Sequence, residues 1–310
     1  MAKPEDELAG AFRRAYLLIL QSLANPTPQT TNQIGEALRG LIGITRQWIV
    51  SNIPTEYTRG RVRARGSRLP RSEEISGATP SDNIHRASVE ILAHNMYRDL
   101  TDNILLVGRR VDDLIREVTV GETLRAVETG RPPRDAQRAI VGEMQRRGIT
   151  GYIDSAGREW KPDRFAEMSA RTTLAEAQNL GLLNQLEEDG HDLVQITSHK
   201  SSCPICAIYE GRVYSLSGTS PDWPALRGTA FGVAYHTIHP NCRHRLAPYS
   251  EKYADNPAAD KRRSNRDFED PRTQREKQAY DDAETRKRKR RDAQRKGEEE
   301  EALGVAESNT

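Results

Sequence analysis

Aromatic side chains make up only 5% of this 310-residue chain, and hydrophobic residues of every kind 35%, against 30% charged. So thin an apolar supply excludes one compact core running the whole length. It fits a modest globular part, long surface helices and some unpacked tail. No run approaches the roughly 18 apolar residues that a membrane span needs, so no membrane partner is expected. The opening "MAKPEDELAGAFRRAYLLILQSLAN" has acids ahead of its apolar run and arginines just before "AYLLILQSLA". It reads as an amphipathic helix rather than a signal peptide. The net charge of +2 makes no whole-chain case for nucleic acid, so any such case rests on local charge. Cysteine is scarce as well: three thiols cannot all pair within one chain. With no signal peptide, that points to a reducing compartment and to sulfurs left free or given to a metal. The G-x-x-x-x-G-K phosphate loop and the G-x-S-x-G nucleophile elbow are both missing, and no small-molecule substrate is implied.

What is present is largely helical. Residues 7–24 and 32–50 read as two helices, the second with Ile34, Leu38, Leu41, Ile42 and Trp48 near one side, and Ile53-Pro54 is expected to break it. The stretch that follows places Arg59, Arg61, Arg63, Arg65, Arg68 and Arg71 close together among glycines. It reads as an exposed arm, either a solvated linker or a contact for nucleic acid or an acidic partner. From about 82 to 127, Met96, Leu100, Ile104, Val107, Val111, Leu114, Ile115 and Val118 recur every three or four residues, the pattern of a long helix with one packed face. Residues 134–147 resume the helical pattern. A short hairpin is expected over 152–160, turning at Asp154–Gly157. Pro162 then opens another helix at a position where its missing N–H costs nothing. That helix stops near Gly190, and "DLVQITS" alternates as a strand. Beyond Tyr249 just over half of the residues are charged, with as many acids as bases and no apolar stripe. The expectation is a solvated helix, roughly 271–302, or disorder. Within it lie a basic block, Arg286, Lys287, Arg288, Lys289, Arg290 and Arg291, and an acidic one, Glu298–Glu301.

All three cysteines and four of the seven histidines fall between residues 199 and 249. Cys203-Pro-Ile-Cys206 is a C-x-x-C knuckle following a strand, and His239-Pro-Asn-Cys242 repeats its spacing. Three sulfurs and one imidazole satisfy the tetrahedral preference of zinc, at distances of about 2.0–2.3 Å. His236 and His244 stand near enough in sequence to substitute. The plainer reading makes the two cysteines of the knuckle small buried hydrophobes and gives His239 a backbone partner. Such a zinc ion is expected to be structural, holding closed a segment with few apolar residues of its own. A zinc deaminase needs a glutamate two residues after a His or Cys ligand, and none of them has one. "HTIHPNCRH" suggests an HNH-type nuclease, but His239, Asn241 and His244 crowd into six residues where that chemistry draws on separated elements. A thiol–disulfide exchanger needs its first cysteine at a helix start in a βαβ setting, which this context lacks.

Taken in order, "GITGYIDSAGREW", "RFAEMSARTTLAEAQNLG", "DLVQITSHK", "GRVYSLSG" and "NCRHRLAPY" resemble the phage minor capsid protein 2 family. They resemble more loosely the Mu F-like head morphogenesis proteins. The likeness covers roughly residues 85–250 and leaves the termini largely outside. Members of the looser family pair a C-x-x-C with a terminal Cys-Arg-Cys, and His244 stands here at the last of those positions. The resemblance implies a virion structural protein without catalytic activity, present in fewer copies than the main shell protein. It implies association with the portal and major capsid proteins, at the portal vertex or head interior, reached from the host cytoplasm during assembly.

The combined expectation is an α+β, mainly α protein: a helical body with a β-hairpin, a small Cys/His β module, and a long charged C-terminal helix or disordered tail. Residues 1–81 would form N-terminal helices and the basic arm, 82–250 the core domain with the module at 199–249, and 251–310 the tail. Its expected cofactor is zinc, held by Cys203, Cys206, His239 and Cys242 with His244 as the alternative ligand. Packaged DNA is a further expected contact, through Arg59–Arg68 and Arg286–Arg291. A metal-dependent nuclease and a non-virion head assembly factor stand as alternatives.

Overall fold

The computed structural model describes residues 3–24, 29–66, 82–130, 132, 135, 139, 143, 152–153, 159–199, 203–233 and 237–308. Its elements, in chain order, are α1 (Pro4–Ala24), α2 (Thr30–Gly66), α3 (Asp82–Thr129), β1 (Tyr152–Ile153), β2 (Glu159–Trp160), α4 (Pro162–Glu188) and β3 (Leu193–Ile196). There follow α5 (Pro204–Ala207), β4 (Val213–Ser215), α6 (Ala230–Val233), β5 (Leu246–Pro248), α7 (Pro257–Ser264) and α8 (Gln274–Ser308). The fold is α+β and mainly α, as expected. None of the described helices is long and apolar enough to cross a membrane. The chain divides into two compact units, residues 1–48, 97–168 and 288–310 in one, 49–96 and 169–287 in the other.

The first unit is built from helix faces. Glu5, Asp6 and Glu7 occupy the first turn of α1, where negative charge offsets the helix dipole. Tyr16, Ile19, Leu20 and Leu23 then point one way and pack with Ile34 of α2 and Val107, Val111, Leu114 and Val118 of α3. Each large apolar side chain so buried contributes about 1.5–3 kcal/mol. The stripe read from the sequence of α3 is therefore its packed face. Trp48 Nε1 donates to the Pro4 carbonyl at 2.9 Å, tying α2 to the start of α1. The short hairpin β1–β2 pairs antiparallel with Tyr152 opposite Trp160. Its Asp154–Gly157 turn lies outside the described residues, as does most of 134–147.

In the second unit a three-stranded antiparallel sheet runs β4-β3-β5, with Val194 opposite both Tyr214 and Pro248. Pro248 has no N–H to give a ladder, and an edge strand is where that is tolerated. On one face Val194, Ile196, Tyr214 and Leu246 pack with Leu182 and Leu186 of α4 and with Phe231, Cys206 and Cys242. On the other, Val213 packs with Trp223 and Tyr249.

Two sequence expectations are corrected here. Helix α2 does not break at Pro54 but runs through it to Gly66, so Arg59, Arg61, Arg63 and Arg65 lie on a helix and not on an irregular arm. Proline removes one backbone bond, yet tertiary burial outweighs that loss: Ile53, Tyr57 and Ala64 are all buried. Thr55 Oγ1 and Thr58 Oγ1 donate to the carbonyls of Ser51 and Pro54 in the same turns. Gly60, which looked like a breaker, is where α4 passes closest: a Cβ there would lie 2.0 Å from the Gln178 carbonyl oxygen. Arg61 donates to Gln185 Oε1 at 3.1 Å and Arg59 pairs with Glu56, while Arg68 and Arg71 fall outside the described residues.

The charge-rich sequence after residue 250 does not start as a free tail. Arg212, itself buried, donates to the carbonyls of Arg266 and Asp267 at 2.6 and 2.7 Å, and its guanidinium lies 4.5 Å from the Phe268 ring centre. Ser264 Oγ accepts from the Val213 amide. These bonds hold α7 and the turn after it against β4. Residues 274–308 then form α8, the helical one of the two expected states.

Candidate metal centre

Strand β3 delivers the chain to Cys203, whose φ and ψ are extended and which caps α5 with Pro204 in its first turn. One turn of helix then sets Cys206 beside it. The second half-site is a tight turn: the Cys242 amide donates to the His239 carbonyl at 3.0 Å, and Asn241 adopts φ 66°, a left-handed conformation that Asn tolerates better than most residues. That turn is fixed to α4, since the Asn241 amide donates to Thr172 Oγ1 and Arg171 donates to Asn241 Oδ1. Strand β5 follows directly, so its pairing with β3 brings the His239–His244 segment back over the knuckle.

The four residues expected as zinc ligands, with His244, fall into two overlapping sets. Cys203, Cys206 and His239 form one set whose ligand atoms all lie within 4.8 Å of each other, and Cys206, Cys242 and His244 form a second. Cys206 belongs to both. His239 Nε2 is 3.2 Å from Cys203 Sγ and 3.1 Å from Cys206 Sγ. Cys242 Sγ is 3.8 Å from Cys206 Sγ and 3.6 Å from His244 Nδ1. Both cysteines of the second set are buried, as is His244, whereas His239 is half-buried. His236 lies outside the described residues.

Each imidazole has its far nitrogen anchored. His239 Nδ1 meets the Pro240 carbonyl at 2.6 Å, and His244 Nε2 meets Glu210 Oε1 at 2.7 Å. Carbonyl and carboxylate oxygens only accept, so in each ring that nitrogen carries the hydrogen, and in the neutral ring the other nitrogen turns a lone pair toward the sulfurs. Glu210 is itself positioned by the His199 amide at 2.7 Å, and the His199 ring packs edge-on against His244 at 4.6 Å.

Cys203 is drawn down to about 4, chiefly by a hydrogen bond from the Cys206 thiol, with His239 adding to it against the effect of burial. Cys242 is drawn down to about 3, chiefly through Cys206, whose one thiol hydrogen serves only one of the two sulfurs at a time, and it is helped by His244 and by backbone amides. Cys206, flanked by both, is pushed up and keeps its proton. Burial disfavours the charged form of His244, yet hydrogen bonds to Cys242 and Glu210 outweigh it and raise the ring to about 9. The Cys242 thiolate thus faces a protonated His244, a charge arrangement that a divalent cation replaces on releasing the proton. Three soft sulfurs with nitrogen fit zinc.

Sequence reasoning missed Glu210, which carries no spacing signature; only its fold position, on the turn before β4, brings it to His244. The expected DNA contacts divide differently. Arg59 and Arg61 are partnered within their unit, and Arg63 and Arg65 are exposed on α2. On α8, Lys287 pairs with Glu284 and Arg291 with Glu167, while Arg286, Arg288, Lys289 and Arg290 are exposed.

A mainly helical α+β protein whose small sheet carries a buried thiol–imidazole cluster is the class that fold and site define. The family model described as Phage minor capsid protein 2 matches residues 24–308, and the chain belongs to that family. The match extends well beyond the 85–250 that motif resemblance covered and takes in α2 and α8. A curated relative, named "Structural protein", of Lactococcus phage LL-H is 26% identical over 150 residues, which cover 46% of this chain and 39% of the relative. The chain therefore matches well under half of that relative's length. No solved structure matches.

Proposed function

We propose that this chain is a non-enzymatic minor component of a phage head, taking part in head assembly at the portal or capsid interior, with a structural zinc ion closing its Cys/His module. Family membership supplies the context. The observation that carries the zinc reading is the convergence of Cys203, Cys206, His239, Cys242 and His244 from two half-sites more than thirty residues apart in sequence. Burial supports a structural rather than catalytic role: Cys206 and Cys242 are 2% and 1% exposed. The residues an HNH-type nuclease would need are otherwise engaged, Asn241 by Arg171 and Thr172 and His244 by Glu210, which favours the structural reading. Packaged DNA is the proposed contact of the exposed bases on α8.

Quantitative mass spectrometry of purified particles tests the assignment. The chain is expected well below the main shell protein in copy number and retained through a high-salt wash; its absence from particles overturns the reading. On the purified chain, elemental analysis is expected to find one zinc per molecule. Chelation should lower the melting temperature sharply, since structural zinc contributes on the order of 10 kcal/mol to small modules. Equal stability with and without chelator would sink the zinc part alone.

A further inference from the structure

We propose that the imidazole that ligates the metal is His244, held in place by Glu210, and that His239 stands outside the coordination shell. This rests on the zinc reading above and assigns the roles within it. Bond lengths of about 2.3 Å to sulfur and 2.0–2.1 Å to nitrogen around a tetrahedral ion require edges of about 3.8 Å between sulfurs and about 3.5–3.6 Å from sulfur to nitrogen. The edges on the His244 side, 3.8 Å from Cys206 to Cys242 and 3.6 Å from Cys242 to His244, have that spacing. Those on the other side, 3.2 and 3.1 Å from His239 to the two knuckle sulfurs, are shorter and have the spacing of hydrogen bonds. Cys203 groups with Cys206 and His239 and not with Cys242 or His244, so as the fourth ligand its sulfur has to move toward them when the metal binds.

The surroundings point the same way. A metal-bound imidazole is ordinarily oriented by a carboxylate or carbonyl on its other nitrogen. His244 has the carboxylate of Glu210, which is in turn fixed by the His199 amide, and it is 3% exposed. His239 has only the carbonyl of the adjacent Pro240 and is half-buried. The buried position shields a ligand from water, and His244 holds it where His239 does not.

The test uses the full chain loaded with Co(II), whose visible bands report tetrahedral geometry and whose near-ultraviolet charge-transfer intensity reports the number of bound thiolates. Zinc affinity is read in parallel by competition with a chromophoric chelator. His244→Ala is expected to abolish the tetrahedral spectrum, and Glu210→Gln to weaken zinc binding by about 10- to 100-fold. His239→Ala is expected to keep the spectrum and most of the affinity. His244→Cys retains a ligand at the position, so it decides the matter even if the alanine variant fails to fold: charge-transfer intensity should rise by about a third as three thiolates become four. A rise with His239→Cys and none with His244→Cys overturns the assignment while leaving zinc in place. A wild-type chain that takes up neither Co(II) nor zinc overturns the zinc reading and this assignment with it.

Discussion

At Glu176 a carboxyl is buried on α4, and its Oε1 has no hydrogen-bond partner among the described residues. Burial pushes its pKa up to about 8, so the folded protein holds it protonated at neutral pH. The unfolded chain gives up that proton near the ordinary carboxylate value of 4.5. The folded state therefore binds more protons between those limits, and stability falls as pH rises through the window, by about 1.4 kcal/mol per pH unit. Glu176→Gln removes the titration while keeping the shape. Its melting temperature should exceed that of the wild type by clearly more at pH 9 than at pH 6; a gap that does not change with pH rules this account out. Nothing in "TTLAEAQN" marks Glu176 as buried, because helical periodicity tells which face turns inward but not how deeply one acid on its border is covered. The cysteines were legible for the opposite reason. Metal-ligand spacing is local chemistry written directly in sequence: the knuckle cysteines fall in one cluster with His239, and Cys206 falls in a second with Cys242 and His244. Glu210 was not legible, since its link to His244 spans 34 residues and exists only once β3 has paired with both β4 and β5.

Among the elements, α2 shows where local reasoning gives way to packing. Pro54 and Gly60 each argue against a helix by propensity, and together with the arginines they read as a broken arm. The competing fact is that α2 and α4 approach backbone to backbone. A Cβ on Gly60 would lie 2.0 Å from the Gln178 carbonyl oxygen, and one on Gly181 would lie 2.2 Å from that of Tyr57. Around this contact Asn184 Nδ2 donates to Tyr57 Oη at 2.7 Å and Gln178 pairs with Glu56. The glycine that looked like a breaker is what permits the helix its partner. Gly60→Ala should then cost on the order of 3 kcal/mol, because backbone on the far side cannot rotate away as a side chain does. Gly43 lies on the same helix, exposed and with open space where its Cβ would go. Gly43→Ala should stabilise by about 0.5–1 kcal/mol through helix propensity. Denaturant melts of the two variants separate the explanations: if both behave alike, close packing is not what keeps α2 continuous. The long helix α3 was legible because its apolar stripe is its packed face, and α4 because Pro162 sits where a first turn accepts it.

Across the whole chain, near-neutral charge conceals a strong local separation, and α8 carries it. Lys287 and Arg291, one helical turn apart, spend their charge on Glu284 and Glu167, both within the protein. Arg286, Lys289 and Arg290 recur at the three- and four-residue spacing that shares a face, and with Arg288 they are exposed. A positive face of this sort is suited to phosphate, although a run of acids lies only two turns further on, at Glu298–Glu301. The two contacts proposed for a head protein, packaged DNA and an acidic partner chain, differ in how they respond to salt and competitor. Binding to duplex DNA releases about 0.9 counterions for every phosphate neutralised, so the logarithm of affinity falls linearly with the logarithm of salt concentration. Replacing Arg286, Arg288, Lys289 and Arg290 by Gln preserves helix propensity, and circular dichroism should be unchanged. Retention on DNA should weaken for all sequences alike, and the salt slope should flatten by up to about 3.6, four phosphate contacts at 0.9 each. Replacing Arg63 and Arg65 on α2 in the same way measures how much of any remaining slope comes from that helix. If the wild-type chain shows no salt-dependent retention on DNA, the exposed bases of α8 serve a protein surface instead, and the DNA contact falls while the head assignment stands on particle stoichiometry.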